Sequence, residues 1–369
     1  MHDFLIQLLA TAVTLGVLIF IHELGHFLAC RFANVGVEKF SIGFGPELLS
    51  WQGKETRYSI SLIPFGGFVK PSGETQEEIK KRGKPDPRDF LAASVQNRFL
   101  ILVAGVVMNF AFAYFLFVSV MLIGRPVLSP VIGGFVKGYP AEASDLKIGD
   151  QVIRLNGARI TDWQDLTMQI LETKGEPLEF SIVRDGTEQA VRMVPQVEEG
   201  HDIFGQVRRV PRIGIQPADR FVIERYGFSE ALVQGAQFEW KLTALTYEAL
   251  WRLVTGQLSL KTISGPIGIV SMAGHAAKMG FVALLQFTAI LSVSLAVINL
   301  LPIPALDGGH LFFLMIEAIR RKKVSVAFQE RVTQYGFYFL MTLMVLVVFN
   351  DLVNIGVVDK LKSLFLHSG

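Results

Sequence analysis

Long stretches without a charged side chain constrain this 369-residue chain more than any other feature. Between Asp3 and Arg31 only Glu23 is charged, and no Asp, Glu, Lys or Arg lies between Arg98 and Arg125, Lys278 and Asp307, or Arg331 and Asp351. Each window meets the roughly 18 to 20 apolar residues that a helix needs to cross hydrocarbon, so four membrane spans are expected. Charged residues are 18% of the chain and hydrophobic ones 51%, with a mean hydropathy of +0.42. Soluble domains carry about a quarter charged residues, so much of this surface is suited to lipid. The net charge of +2 comes with no basic stripe, which argues against nucleic acid as a partner. The single cysteine, Cys30, excludes an intrachain disulfide framework and a thiolate-cage zinc site. Asp3 makes the start acidic and no small-residue cleavage site follows Phe20, so the first apolar stretch reads as a retained span.

Loop charge sets the expected orientation. Arg320–Lys323 and Arg331 place the connection between spans three and four in the cytoplasm, and the Lys/Arg-free N-terminus outside. Residues 1–126 then form an N-terminal membrane half with two spans, and 279–369 a C-terminal half with two more. Within the first half, residues 38–70 hold two glycine-rich, β-like runs too short to cross, Phe40–Pro46 and Tyr58–Val69. They read as a hairpin, either packed on the span ends or dipping toward the membrane-embedded motifs. Residues 127–216 suffice for one small α+β domain on the outer side, with turns at Asn156-Gly157 and Asp185-Gly186 and a short helix near Leu166–Leu171. In 217–278, Glu230, Gln234, Gln237, Lys241, Glu248 and Arg252 share one helical face. That amphipathic helix lies either along the outer membrane surface or against the outer domain.

The chemistry centres on His22-Glu23-Leu24-Gly25-His26. Residues four apart stack on one helix face, so His22 and His26 can grip one zinc ion while Glu23 accepts a proton from water. Ionisable residues inside a span cost about 2.5 to 3.5 kcal/mol each on insertion scales and are normally functional. A catalytic zinc takes a third protein ligand, and Asp307 is the best candidate, in Asn299-Leu-Leu-Pro-Ile-Pro-Ala-Leu-Asp-Gly-Gly-His310. Pro302 and Pro304 break the third span there and Gly308-Gly309 permit a turn back into helix. Asp307 could instead cap the following helix. His310 reads as a neighbour of the site. Asn299 either donates to a substrate carbonyl or satisfies backbone freed by the prolines.

HELGH in the first span, a broken Asn-Pro-Pro stretch with LDGGH in the third, and an outer domain between them resemble the bacterial site-2 protease family, M50-type intramembrane zinc metalloproteases, in its RseP-type branch. The fold this implies is mainly α: a polytopic membrane protein with four transmembrane helices, a membrane-associated β-hairpin and one inserted α+β PDZ-like domain. The resemblance implies Zn2+ held by His22, His26 and Asp307, with Glu23 activating water. It implies substrate contacts from Asn299, Asn109 and the hairpin residues Gly43, Phe44, Gly45, Gly66 and Gly67, with strand addition to an unwound substrate helix. Implied partners are single-span membrane proteins already cleaved on the outer side, such as an anti-sigma factor of a stress response or signal-peptide remnants. The implied location is the bacterial inner membrane, with the N-terminus and PDZ-like domain periplasmic. Tyr139–Asp150 followed by Val152–Gly157 looks like a PDZ stretch, with Asp145 where glycine is common. The PDZ-like domain binds peptide termini, filters by size, or braces the spans. Many relatives carry two PDZ domains and a proline after the span-two glycine; here there is room for one domain, and Val106 follows Gly105. An alternative from another class is a catalytically silent membrane receptor that binds exposed termini; a metal transporter would instead need polar positions strung along a path.

Overall fold

The computed structural model describes residues 2–201, 207–259 and 262–354. Among these, four helices are long and apolar enough to cross a membrane: Asp3–Phe32, Val95–Ile123, Phe281–Leu300 and Val326–Val353. They lie in α1 (His2–Phe32), α3 (Val95–Ile123), α7 (Phe281–Leu300) and α9 (Val326–Asn354), matching the four charge-poor windows. The chain divides into two compact units: residues up to Val120 with Ser229–Leu250 and Ser259 onward, and Met121–Phe228 with Trp251–Leu258.

In the first unit, β1 (Val37–Gln52) and β2 (Arg57–Pro71) form the expected hairpin, folded further than two simple strands. The first half of β1 has a neighbour on each side: Phe40 lies opposite both Val69 and Tyr58, and Ile42 opposite both Gly67 and Ile60. The second half of β1 pairs with the first half of β2, Leu49 opposite Ile60 and Gln52 opposite Arg57. One edge of this small sheet is therefore the end of β2, Gly67–Pro71. Leu48, Leu49, Trp51 and Leu62 are exposed apolar side chains on it, an arrangement suited to contact with lipid. A short helix, α2 (Gln76–Arg82), follows, capped by the Thr75 side chain.

The two prolines end α7 at Leu300, and α8 (Asp307–Arg320) restarts after a short loop. Gly308 and Gly309 serve this reversal by their small size and not by a left-handed turn: a Cβ on either would run into the carbonyls of Leu300, Leu301 or Ile303. The positive φ in the loop belongs to Ala305, at 84°. Arg98 at the start of α3 and Glu317 on α8 form a buried ion pair, with two hydrogen bonds of 3.2 and 2.5 Å. On α9, the Asp351 carboxylate accepts from the backbone N–H groups of Gly265, Ile267 and Gly268, and so caps α6 (Pro266–Met279). Gly274 of α6 sits directly on Gln7 of α1, where a Cβ would collide with that side chain.

The stretch expected as one amphipathic helix holds a strand, α5 (Phe228–Val254) and α6. α5 packs on the span α3. The Phe238 and Phe117 rings meet edge-on at 4.9 Å, and Tyr114 donates to the Leu232 carbonyl. Burial of Phe117, Val293 and Val297 outweighs the polar stripe in setting the helix's position.

The second unit runs past both ends expected for it. Its central sheet has the order β6-β5-β7-β8, from β5 (Gln151–Leu155), β6 (Ala158–Arg159), β7 (Leu178–Arg184) and β8 (Thr187–Met193). Both expected turns form with positive φ at each residue: Asn156 at 49° with Gly157 at 83°, and Asp185 at 48° with Gly186 at 79°. Such pairs suit tight hairpins because their twist matches that of the strands. Asp145, by contrast, takes no left-handed backbone conformation. The helix expected near Leu166 is α4 (Trp163–Glu172), capped by Asp162. Leu166, Phe180 and Ile182, all fully buried, centre the core. Around this lie β3 (Arg125–Leu128) with β12 (Phe221–Glu224), β4 (Ile132–Phe135) with β11 (Ile215–Pro217), and β9 (Gln196–His201) with β10 (Val207–Arg212). Pairing of Arg125–Leu128 with Phe221–Glu224 is what extends the unit beyond 127–216.

Candidate metal centre and active site

His22 and His26 lie one turn apart on α1, and Asp307 opens α8. Their ligand atoms converge: His22 Nε2 is 3.0 Å from Asp307 Oδ2, His26 Nε2 is 3.4 Å from the same oxygen, and the two nitrogens are 3.2 Å apart. A tetrahedral zinc with ligands at about 2.0–2.1 Å holds them about 3.3 Å from one another. The triangle already has that size. Its protonation pattern fits as well. The Ile101 carbonyl can only accept, so His26 Nδ1, at 2.8 Å, carries the proton and donates to it. Nε2 is then a lone pair, facing a second imidazole nitrogen and a carboxylate oxygen. Asp307 Oδ2 is buried without a donor, so a cation is what this cluster lacks. Among the described residues it is the one group of three such side chains suited to a metal. The side chain of Asp307 does not cap α8, whose cap position is Leu306.

The chain belongs to peptidase family M50. The family model, described as "Peptidase family M50", matches residues 10–343. The chain is 37% identical over 343 residues to a candidate zinc metalloprotease of Clostridium acetobutylicum, covering 92% of this chain and 95% of that protein. It is 32% identical to the zinc metalloprotease RasP of Geobacillus kaustophilus, covering 95% of this chain and 99% of that protein. Among solved structures, the PDZ domain of an SdrC-like protein from Listeria innocua aligns over 25% of this chain and 96% of that one, 18% identical. Its TM-score of 0.20 is too low for any conclusion about the fold. As an M50 member this chain is a metalloendopeptidase with a zinc cofactor.

Two residues on α3 stand against the triad. Asn109, fully buried, places its side-chain amide 3.2 Å from His22 Nδ1. Its Nδ2 and Oδ1 ends are interchangeable by rotation, and Oδ1 has no partner where it stands. With Oδ1 turned to His22, Nδ1–H donates to it and Nε2 is left as a lone pair toward the metal position, the support that metal-bound histidines usually have. Asn109 thus contacts His22 of the triad directly. Gly105, one turn earlier, leaves space for the imidazoles: a Cβ there would lie 2.8 Å from Cε1 of both His22 and His26, and closer to His26 Nε2. Gly25 on α1 lets α3 come close, since a Cβ would strike the Ala104 carbonyl and lie 2.8 Å from Met108 Cγ. Sequence reasoning passed over Gly105, although its four-residue spacing from Asn109 puts both on one face of α3.

A cavity of about 990 Å³ opens beside the triad, lined by Glu23, Phe68, Val69, Ala305, His310 and the Arg98–Glu317 pair, among others. Glu23 Oε2 accepts a hydrogen bond from the Val69 N–H at 3.0 Å, which ties the catalytic-motif glutamate to the free edge of β2. Gly67 makes this approach possible, because a Cβ would sit 2.8 Å from the Ser41 carbonyl oxygen and 3.4 Å from Glu23 Cγ. Gly43, Phe44, Gly45 and Gly66 lie further along the hairpin and do not line the cavity. Phe44 stacks on Phe68 at 6.4 Å, over a Gly66 that has no room for a side chain. Asn299 also stands outside the cavity wall, while His310, expected only as a neighbour, forms part of it. Of the hairpin, Phe68, Val69 and Pro71 are the residues that line the cavity.

Proposed function

We propose that this chain is an intramembrane endopeptidase that hydrolyses peptide bonds of single-span membrane proteins after their outer portions have been trimmed. The observation that carries this reading is the meeting, inside membrane helices, of a zinc-sized triad, the Glu23 carboxylate and an unpaired strand edge. A peptide bond in a helix is shielded, so a substrate must be extended before attack. Gly67–Pro71 offers backbone groups with which an extended segment can pair, and Val69 sets that segment beside Glu23. Zinc, when bound by His22, His26 and Asp307, supplies Lewis acidity that polarises a carbonyl and lowers the pKa of water. Glu23 takes the proton from the attacking water as the new C–O bond forms, and delivers it to the amide nitrogen as the C–N bond breaks. His26 is held by Ile101 and His22 by Asn109, so neither ring need reorient during the cycle.

The inserted unit is a PDZ-like domain that binds or filters substrate termini. By loop charge it lies outside the inner membrane together with the N-terminus, and the active site lies toward the cytoplasmic half. An intact triad with its glutamate leaves the silent-receptor alternative without support. The test uses purified, reconstituted protein with a tagged single-span substrate, wild type against Glu23→Gln. Product should form only with wild type and vanish with a zinc chelator; equal cleavage by both proteins overturns the mechanism.

A further inference from the structure

The β3–β12 ribbon follows directly on a membrane span and carries an apolar face that the described residues leave largely exposed. Directly opposed strand residues share a face. Pairing of Phe221 with Leu128 and Ile223 with Pro126 therefore gathers four apolar side chains on one side. Phe221 and Ile223 are each 66% exposed. On the other side Val127 is buried and Arg125 bonds Glu224 at 3.0 Å, with Asp162 beyond at 3.6 Å, while Val222 is less exposed than Phe221 or Ile223, at 44%. A strand in which the charged residues are engaged and the apolar ones exposed is the reverse of what water selects.

The ribbon is also fixed to the end of the span. α3 ends at Ile123, Gly124 turns at φ 96°, and β3 begins at Arg125. Arg225 Nε donates to the Leu122 carbonyl at 2.7 Å and the Tyr226 N–H to the Met121 carbonyl at 3.0 Å, so the segment after β12 satisfies carbonyls left free at the helix terminus. Met121–Ile123 and the ribbon belong to the same compact unit. At about 3.3 Å per residue, Pro126 and Ile223 stand within roughly two residues of the last apolar turn. Further exposed apolar groups flank them, Ile123 before the ribbon and Phe228 after it.

We infer that the face formed by Pro126, Leu128, Phe221 and Ile223 docks on the bilayer surface at the C-terminal end of α3, with lipid as its occupant. This rests on the reading of α3 as a membrane span. Docking would hold the root of the inserted domain at the headgroup layer, next to any substrate chain leaving the membrane there.

The test is spin-label accessibility in vesicles of phosphatidylethanolamine and phosphatidylglycerol, using the full chain in a Cys30→Ser background. Single cysteines replace Phe221, Val222, Ile223, Glu188 on the β7–β8 hairpin, and Val345 on α9. Labels at 221 and 223 should collide with oxygen and be shielded from an aqueous nickel complex, several-fold more than labels at 188 and 222. Nickel accessibility at 221 and 223 equal to that at 188 overturns the inference while Val345 still reports lipid. Shielding from both reagents means that protein covers the face, and also overturns it. If Val345 does not report lipid, the membrane reading itself fails. Should one cysteine variant misfold, the other position on the same face gives the same readout, with Val222 as the opposite-face control.

Discussion

Gly105→Ala adds one methyl group and isolates the role of space around the metal centre. Elsewhere in a helix this change stabilises by about 0.5–1 kcal/mol. Here the new Cβ would lie 2.8 Å from Cε1 of His22 and of His26, whereas ordinary contact begins at 3.4 Å. The rings or the helix must therefore yield by at least about 0.6 Å, the difference between those two distances. Zinc sites tolerate about 0.2 Å in ligand position, so the three ligand atoms cannot keep their spacing. Overpacking of this kind costs about 1–3 kcal/mol, partly offset by the helix preference of alanine, so the melting temperature should change little. Zinc affinity should fall about 10–100-fold, as when a ligand's support is removed, and cleavage should fall by about 100-fold. The assay pairs metal analysis of purified protein dialysed against buffered zinc with cleavage of the reconstituted substrate. A Gly105→Ala protein that retains wild-type zinc affinity and rate would refute the packing account of this centre.

Asn109→Leu keeps the volume but removes the partner of His22 Nδ1, and should weaken zinc binding about 10–100-fold, read by chelator competition; unchanged affinity would show that His22 needs no support. Glu317→Gln leaves the Arg98 guanidinium buried without its counter-charge, and should destabilise the protein by about 3–5 kcal/mol, measured by unfolding in micelles. A double replacement by apolar residues should recover most of that loss. In the inserted unit, burial alone would raise the Asp150 carboxyl, but the Arg184 side chain and the Lys147 N–H outweigh it and hold the group below its ordinary value. A depressed value gives stability that is present above the unfolded carboxylate range near pH 4 and is lost as pH falls through the folded value. Amide-exchange protection of β5 and β7 should thus hold from neutral pH to about pH 4 and decline below it, and Arg184→Met should lower it already at pH 7.

The four spans, the zinc motif and the two tight turns were legible in the sequence because each follows from local rules. Charge-free length decides whether a helix can cross lipid, a four-residue spacing puts His22 and His26 on one face, and Asn-Gly and Asp-Gly pairs accept the positive φ that hairpins require. Asp307 was legible for a related reason: a carboxylate in an apolar, proline-broken span needs a cation or a cap. Other features depended on how distant segments rotate and cross, which no period in the sequence encodes. Only packing shows that Gly105 faces the imidazoles, that Asn109 meets His22 across two helices, and that Asn299 does not line the cavity. Packing likewise carries α5 onto α3 and brings Gly67 and Val69 against Glu23. Local chemistry singled out the three side chains of the triad; close helix approach at two glycines set where they meet.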